Sequence, residues 1–198
     1  MSAHPAPAPA GVPAAYRRLH ADATRVLTDW HAPDAEQERR RVHFLDILAH
    51  HPGAVWREGP ARHLTASALV LDEAGEHVLL TLHRKAHLWL QFGGHLEPED
   101  EDLHAASTRE AREESGLPGL RLAPGVVDLH AHELSGSFGR CHEHLDVRFA
   151  GTARRDGRHA VSDESDDVRW WPLRALPAQA APDLVPLARA AIRHLSLG

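Results

Sequence analysis

The chain has 198 residues and a mass of 21.8 kDa, which suits one domain with its own hydrophobic core. Its 42% hydrophobic and 25% charged residues exclude disordered, collagenous and coiled-coil chains, and no apolar stretch approaches the roughly 20 residues that cross a bilayer. The net charge of −6 with scattered basic residues argues against binding of nucleic acid polymers or anionic lipid and favours a divalent cation or a metal-bound partner.

The N-terminal region predicts a mobile tail followed by two helices. Residues 1–14 are rich in proline, which removes backbone donors and fixes φ, so we expect no helix or strand there. Apolar residues recur every three or four positions from Tyr16 to Trp30, which indicates an amphipathic helix. Asp34 with Gln37 resembles a capping box, and a second helical pattern runs from there to Pro52. We therefore expect a helical N-terminal extension over 15–60, followed by the main domain over 61–198.

Beyond position 60 the hydrophobic period changes to that of strands. The predicted elements are strands at 63–72 and 77–84 joined by a turn, a helix at 102–115, strands near 126–132, 143–150 and 167–171, and a helix at about 184–195. Strands and helices are interleaved without strict alternation. This order predicts an α/β protein of the α+β kind, with a mixed sheet sandwiched between helices, rather than a doubly wound parallel sheet.

The predicted helix at 102–115 carries three glutamates that point to metal chemistry. Glu110, Glu113 and Glu114 fall within roughly 100° of helix surface, so their carboxylates are placed to converge on one or two cations. Oxygen ligands of this kind suit Mg²⁺ or Mn²⁺. A solvated acidic face is the alternative interpretation of the same three residues.

The segment 93–117, GGHLEPEDEDLHAASTREAREESGL, resembles the Nudix hydrolase signature. That signature is Gly, five residues, Glu, seven residues, Arg-Glu, an apolar residue, any residue, Glu-Glu, any residue, Gly and an apolar residue. The chain matches it from Glu101 through Arg109 to Leu117, but six residues separate Gly94 from Glu101. Either the loop has gained one residue or Asp100 takes the glutamate's place. We favour the inserted residue, because loops absorb insertions at little cost.

The resemblance implies a Nudix fold and a role for each matching residue. Glu113 and Glu114 would ligate Mg²⁺ or Mn²⁺, with the Gly94 carbonyl as an additional ligand. Glu110 would bind metal or help to activate water, and Arg109 would orient the glutamates. Since an arginine four positions before a glutamate can form an ion pair, Arg109 would also keep Glu113 ionised.

Members of that family often carry another glutamate beyond the signature, as a base or further ligand. Glu164 precedes a predicted strand at a suitable place and is the catalytic candidate. Asp163, Asp166, Asp167 or an ordinary polar turn are the alternatives.

Two predicted strands each present a polar face. Asp128, His130 and His132 alternate along one strand, and His142, His144, Asp146 and Arg148 alternate along another. These faces are interpreted as Zn²⁺ or Ni²⁺ ligands, as the lining of a substrate pocket, or as ordinary sheet polarity. The candidates for contacts with substrate are His83, Arg84, Lys85, His95, His144 and Arg148.

Cys141 is the single cysteine of the chain, so an intrachain disulfide and a site with several thiolates are both excluded. The presence of only one cysteine favours a reducing, cytoplasmic setting for the protein. Neighbouring strand residues point to opposite faces, so Cys141 and His142 do not predict a nucleophile pair.

Together these features predict a Mg²⁺-dependent Nudix hydrolase that cleaves a phosphoanhydride bond of a nucleoside diphosphate linked to another group, or of a similar organic diphosphate. The first alternative is an enzyme similar to isopentenyl diphosphate isomerase, although that relative has a cysteine near the equivalent of 93–95 and Cys141 lies far downstream. The second is a non-catalytic sensor that binds a nucleotide sugar. The partner is a small-molecule diphosphate in each case, and the amphipathic N-terminal helices fit either their own domain or a homodimer.

Overall fold

The computed structural model describes residues 11–133, 141–157 and 165–197. Its helices are α1 (Ala14–Asp29), α2 (Ala35–His50), α3 (Leu103–Ser115) and α4 (Leu184–Leu195). Its strands are β1 (Arg62–Asp72), β2 (His77–His83), β3 (Leu88–Leu90), β4 (Phe92–His95), β5 (Arg121–Leu122), β6 (Asp128–Glu133), β7 (Glu143–Ala153) and β8 (Ser165–Pro172). Within these ranges no helix is long and apolar enough to span a membrane.

The described strands form one mixed sheet around a long central pair. β1 runs parallel to β7 over eleven residue pairs, from Arg62↔Glu143 to Asp72↔Ala153. The other edge of β1 pairs antiparallel with β4 near its start and with β2 near its end. β7 likewise pairs antiparallel with β6 and β5, while β2 pairs antiparallel with β3 and β8. The predicted hairpin of the first two strands and the predicted mixed sheet are confirmed.

Each face of the sheet packs against helices, as the strand period requires. Ala66 and Ala68 of β1 join one buried cluster together with apolar residues of α1, α2 and α3. Leu69 and Leu71 point the other way and join a second cluster with α4. The sheet is therefore enclosed between three helices on one face and one on the other, which is the predicted layer order.

The two N-terminal helices pack on the same chain. Asp34 caps α2 as predicted, because its carboxylate accepts bonds from the backbone N–H groups of Glu36 and Gln37, both at 2.9 Å. The Gln37 amide in turn donates to Asp128 of β6 at 2.7 Å, and the Trp30 indole donates to the Val126 carbonyl at 2.8 Å. Their apolar faces thus cover their own domain, and a homodimer through them stays a prediction.

Three short strands were not expected from the sequence. β3, β4 and β5 contain two to four residues each, too few to show a period. In β4 the pair Gly93–Gly94 makes the strand still harder to predict, because glycine is depleted in strands and has no side chain that could show an alternating pattern.

Candidate functional site

The helix α3 is held against the sheet by its ends and by one buried hydroxyl. Asp102 caps its start by accepting from the Ala105 N–H at 2.7 Å, and Gly116 ends it in the left-handed conformation with φ 68°. In its middle the Ser107 hydroxyl donates to the Ser67 carbonyl of β1 at 2.7 Å. These contacts fix the rotation of α3 about its axis and hence the direction of its three glutamates.

Those glutamates differ in burial. The Glu110 side chain is 14% exposed and Glu114 is buried, whereas the Glu113 side chain is 62% exposed. The Glu110 carboxylate lies against the backbone of Gly94, where an added Cβ would come within 2.6 Å of Oε1. A side chain at position 94 would therefore displace the Glu110 carboxylate from its present position. The structure thus brings together two of the predicted ligands, Glu110 and Gly94.

Arg109 connects this cluster. Its guanidinium donates to Glu110 at 3.0 Å, to Glu113 at 3.2 Å and to the His95 carbonyl at 3.0 Å. The predicted pairing of Arg109 with Glu113 is therefore present. The bond to the His95 carbonyl also fixes Arg109 to the end of β4.

The strongest partner of Arg109 is Asp100. Its two carboxylate oxygens accept from Nε at 2.9 Å and from a terminal nitrogen at 3.0 Å, and Asp100 also accepts from the Glu97 N–H at 2.8 Å. Asp100 is buried, while Glu101 is exposed. Our preference for a loop insertion that keeps Glu101 in the signature position is therefore not supported. The alternative is favoured, in which the shorter Asp100 takes the glutamate's place.

The electrostatics of Glu110 are unusual for a carboxylate. Burial raises its pKa to about 7, although the positive charge of Arg109 acts in the opposite direction. The guanidinium of Arg109 has its pKa raised by Asp100 and Glu110 despite its own desolvation. A buried carboxylate that holds a proton near neutral pH is a site where a hard cation can replace that proton. Glu110 lies beside the Gly94 backbone, and Glu113 and Glu114 are on the same helix. Together these groups supply the oxygen donors that Mg²⁺ prefers.

The remaining candidates beside this helix are only partly described. Glu164 and Asp163 lie outside the described residues. Arg84 pairs with Asp166 at 2.9 Å and donates to the Ser165 carbonyl, and Lys85 is exposed beside it. Asp166, one of the alternatives to Glu164, therefore forms an ion pair with Arg84, a residue predicted to contact the substrate.

The two polar strand faces predicted from the sequence do meet. β6 and β7 pair so that Asp128 lies opposite Arg148, His130 opposite Asp146 and His132 opposite His144. Cross-strand partners share one face, so these six side chains form one polar surface on the side of the sheet that faces α4. Asp146 also accepts from the hydroxyls of Thr65 and Ser67 on β1.

Arg148 is the centre of this surface. Its side chain is only 2% exposed, and it pairs with Asp146 at 2.9 Å, with Asp183 at 2.6 Å and with Asp128 at 3.4 Å. Burial raises the pKa of Asp128 to about 6, whereas Arg148 and the Ser67 hydroxyl hold that of Asp146 below its usual range. Sequence analysis missed Asp183, because it stands at the start of α4, far along the chain. The position of Asp183 just before a predicted helix is the only feature of the sequence that could have indicated this residue.

Three imidazoles gather at the end of the same surface. The ring centroids of His63, His95 and His144 are 5.0 to 5.2 Å apart. Burial lowers the pKa of His95 to about 4 and that of His144 to about 3, and the neighbouring imidazoles add to the effect. Sequence analysis selected His95 and His144 but missed His63. The pairing of β1 with both β4 and β7 places His63 beside the other two imidazoles.

A separate groove of about 660 Å³ lies between α1, the start of α3 and the segment that follows β5. Its polar lining includes Asp22, Arg25, Asp29 and Asp102. None of the glutamates of α3 lines it, so it is not part of the carboxylate cluster.

Comparison with known proteins identifies the family and the fold. The model of the NUDIX domain family matches residues 61–195, and no curated protein matches the sequence. Among solved structures, the Ap4A hydrolase of C. elegans is 20% identical, with a TM-score of 0.55 over 67% of this chain and 97% of that one.

Two further structures share the fold. A NUDIX-family hydrolase from Clostridium perfringens is 26% identical, with a TM-score of 0.50 over 68% of this chain and 98% of that one. The NUDIX domain of NrtR from Shewanella oneidensis, complexed with ADP ribose, is 19% identical, with a TM-score of 0.52 over 76% of this chain and 97% of that one.

Proposed function

The chain belongs to the Nudix hydrolase family, and from that premise we propose that it is a Mg²⁺-dependent hydrolase of phosphoanhydride bonds. Its substrate is a nucleoside diphosphate linked to another group, or a similar organic diphosphate. The observation that carries this proposal is the position of Glu110, buried against the Gly94 backbone and held by Arg109, on the helix that also carries Glu113 and Glu114.

In this proposal Glu113, Glu114 and Glu110 hold Mg²⁺ or Mn²⁺, with the Gly94 carbonyl as a further ligand. The cation, when bound, neutralises phosphate oxygens and makes a water easier to deprotonate. Glu110 is also suited to hold a proton, because its pKa lies at about 7. Glu164 is the candidate for a further base.

Arg109 acts as a positioning residue. Because Asp100 binds two of its nitrogens, the third is left to hold Glu110 and Glu113 together. The same guanidinium fixes the His95 carbonyl, so the backbone at Gly94 and the glutamates keep one relative position. Such preorganisation is what places a diphosphate in line for attack.

The phosphate-binding side chains proposed for the substrate are Arg84 and Lys85, which are exposed at the end of β2, with His95 and His144 as candidates in the polar surface. Arg148 is proposed to act less directly, since its guanidinium is buried among three aspartates. It is suited to hold that surface together.

The test is a panel of diphosphates incubated with the full chain and Mg²⁺ or Mn²⁺, with products identified by mass. The panel includes ADP-ribose, Ap4A, nucleotide sugars and isopentenyl diphosphate. We expect metal-dependent release of a nucleotide or phosphate. Isomerised isopentenyl diphosphate, or binding of a nucleotide sugar with no member of the panel hydrolysed, would contradict the hydrolase.

Glu114→Gln is expected to lower turnover at least about 100-fold, because it removes one charged ligand of the cation. Glu99→Gln, on the exposed loop before α3, is the matched control and should keep full activity. Circular dichroism of both variants checks that the fold is intact. Full activity of Glu114→Gln would refute the site.

A further inference from the structure

We propose that His63, His95, His144 and Cys141 form a second metal site, which takes Zn²⁺ or a similar transition metal through three imidazole nitrogens and one thiolate. One ligand atom from each residue lies within 4.8 Å of all the others. The site contains no carboxylate, and in this proposal His95 and His144 bind the metal and do not contact the substrate.

The distances within this cluster suit a tetrahedral ion. Nε2 of His63 lies 3.1 Å from Nε2 of His95 and 3.8 Å from Sγ of Cys141. With metal–ligand bonds of about 2.0 Å to nitrogen and about 2.3 Å to sulfur, the edges of a tetrahedron are roughly 3.3 to 3.6 Å long. Small rotations of the side chains therefore bring all four donors to bonding distance.

The backbone sets this arrangement. His63 and His144 are direct partners in the parallel pairing of β1 with β7, and His95 lies opposite Thr65 on the other edge of β1. Cys141 enters just before β7, where the His142 and Glu143 N–H groups both donate to the Ala61 carbonyl. Three strands and one anchored segment thus aim their ligands at one point.

Hydrogen bonding also favours metal binding at Nε2 of His63 and at Nε2 of His144. Nδ1 of His63 lies 2.9 Å from the Pro60 carbonyl, which can only accept, so this nitrogen carries the proton and Nε2 keeps its lone pair. Nε2 of His144 is buried and has no hydrogen-bond partner among the described residues. A buried polar atom without a partner is costly, and a metal ion would satisfy it.

The donor set decides the kind of ion. Three nitrogens and a sulfur fit Zn²⁺ or Co²⁺ and do not fit Mg²⁺, which prefers oxygen. Four protein ligands would also close the coordination shell, which is typical of a structural site. Residues 94 and 95 are neighbours in β4 and point to opposite faces, so the carboxylate cluster and this cluster lie on the two sides of one strand.

A metal ion at this site would hold the end of β4 in place. The His95 carbonyl accepts from Arg109, and the next residue back, Gly94, packs against Glu110. An ion bound to the His95 ring would therefore hold the strand on which the carboxylate cluster rests.

The experiment titrates the chelator-treated full chain with Co²⁺ in excess Mg²⁺, which is added to compete with Co²⁺ for the proposed carboxylate site. We expect one Co²⁺ per chain with the strong visible absorption of tetrahedral cobalt and a near-ultraviolet thiolate-to-cobalt band, both removed by equimolar Zn²⁺. Cys141→Ser should lose the thiolate band, and His144→Asn should weaken Zn²⁺ binding at least tenfold.

The matched control is His142→Asn, since His142 is exposed and adjoins Cys141 without belonging to the cluster. It should bind Co²⁺ as the original chain does. Absence of the thiolate band, its persistence in Cys141→Ser, or equal loss of binding in His142→Asn would overturn the proposal. Circular dichroism of the metal-free variants separates loss of a ligand from loss of the fold, and Cys141→Ser, at a partly exposed position, is the variant least able to disturb the core.

Discussion

At the scale of single residues, Glu110 shows how burial and function are linked. Its carboxylate occupies the space that a side chain at Gly94 would fill, and Arg109 compensates only part of the cost of its desolvation. The result is a group whose pKa lies at about 7 instead of 4.5. Such a group destabilises the metal-free protein at neutral pH and is relieved by a bound cation, which is a physical reason to expect metal there.

The sign of this effect predicts a pH dependence of stability. Since the folded protein binds the Glu110 proton more tightly than the unfolded chain does, its free energy of unfolding falls as pH rises from 4.5 to about 7. The loss attributable to Glu110 is about 3 kcal/mol. Glu110→Gln has no such proton, so between about pH 5 and pH 8 it should lose about 2.5 kcal/mol less than the original chain. Urea unfolding with chelator at both values measures this, and parallel pH profiles would contradict it.

At the scale of elements, the loop before α3 and the helix act as one unit. Asp100 turns inward and binds Arg109 through both oxygens, while its neighbour Glu101 faces solvent. Asp102 then caps the helix two residues later. The loop is therefore tied to the helix by one buried ion pair and one cap.

A pair of variants separates the two acidic loop positions. Asp100→Asn should destabilise the chain by about 3 kcal/mol, because it removes one partner of a buried ion pair. Glu101→Gln should change stability by less than about 0.5 kcal/mol, since its side chain is exposed. Urea unfolding measures both, and Mg²⁺ affinity should fall in Asp100→Asn alone, because only there does Arg109 lose its anchor. A larger effect of Glu101→Gln would restore the loop-insertion interpretation.

At the scale of the whole molecule, the N-terminal helices share the core of the family domain. Phe44 and Leu48 of α2 and Leu19 of α1 are buried in the same cluster as Phe92 and Leu129 of the sheet. Polar contacts from Gln37 to β6 reinforce this packing. We therefore propose that residues 15–60 fold together with 61–198 as one cooperative unit.

Truncation of a buried side chain in α2 tests this cooperativity. Phe44→Ala should cost about 3–5 kcal/mol and lower the unfolding midpoint of the sheet as well as that of the helices. Val42→Ala, at a position that is 54% exposed in the same helix, is the matched control and should have little effect. Far-ultraviolet circular dichroism and tryptophan fluorescence follow the two parts. If the helices unfold separately while the sheet stays intact, the single unit is refuted.

The sequence by itself determined the elements that carry a strong period. Both N-terminal helices, the Asp34 cap, the hairpin of β1 and β2, and the helices α3 and α4 were predicted close to their observed bounds. The three glutamates of α3 and the polar alternation along β6 and β7 were also readable, because which side chains share a face depends only on positions within one element. Glu164 stays a prediction.

Tertiary structure decided which of these faces meet. Asp100 rather than Glu101 contacts Arg109, His63 joins His95 and His144, and Asp183 reaches Arg148 from the start of α4. Each of these contacts links positions that are separated by a loop or by many residues along the chain. Such contacts depend on strand register and on the packing of helices against the sheet. A local pattern contains neither quantity, because both follow from how the whole chain buries its apolar surface.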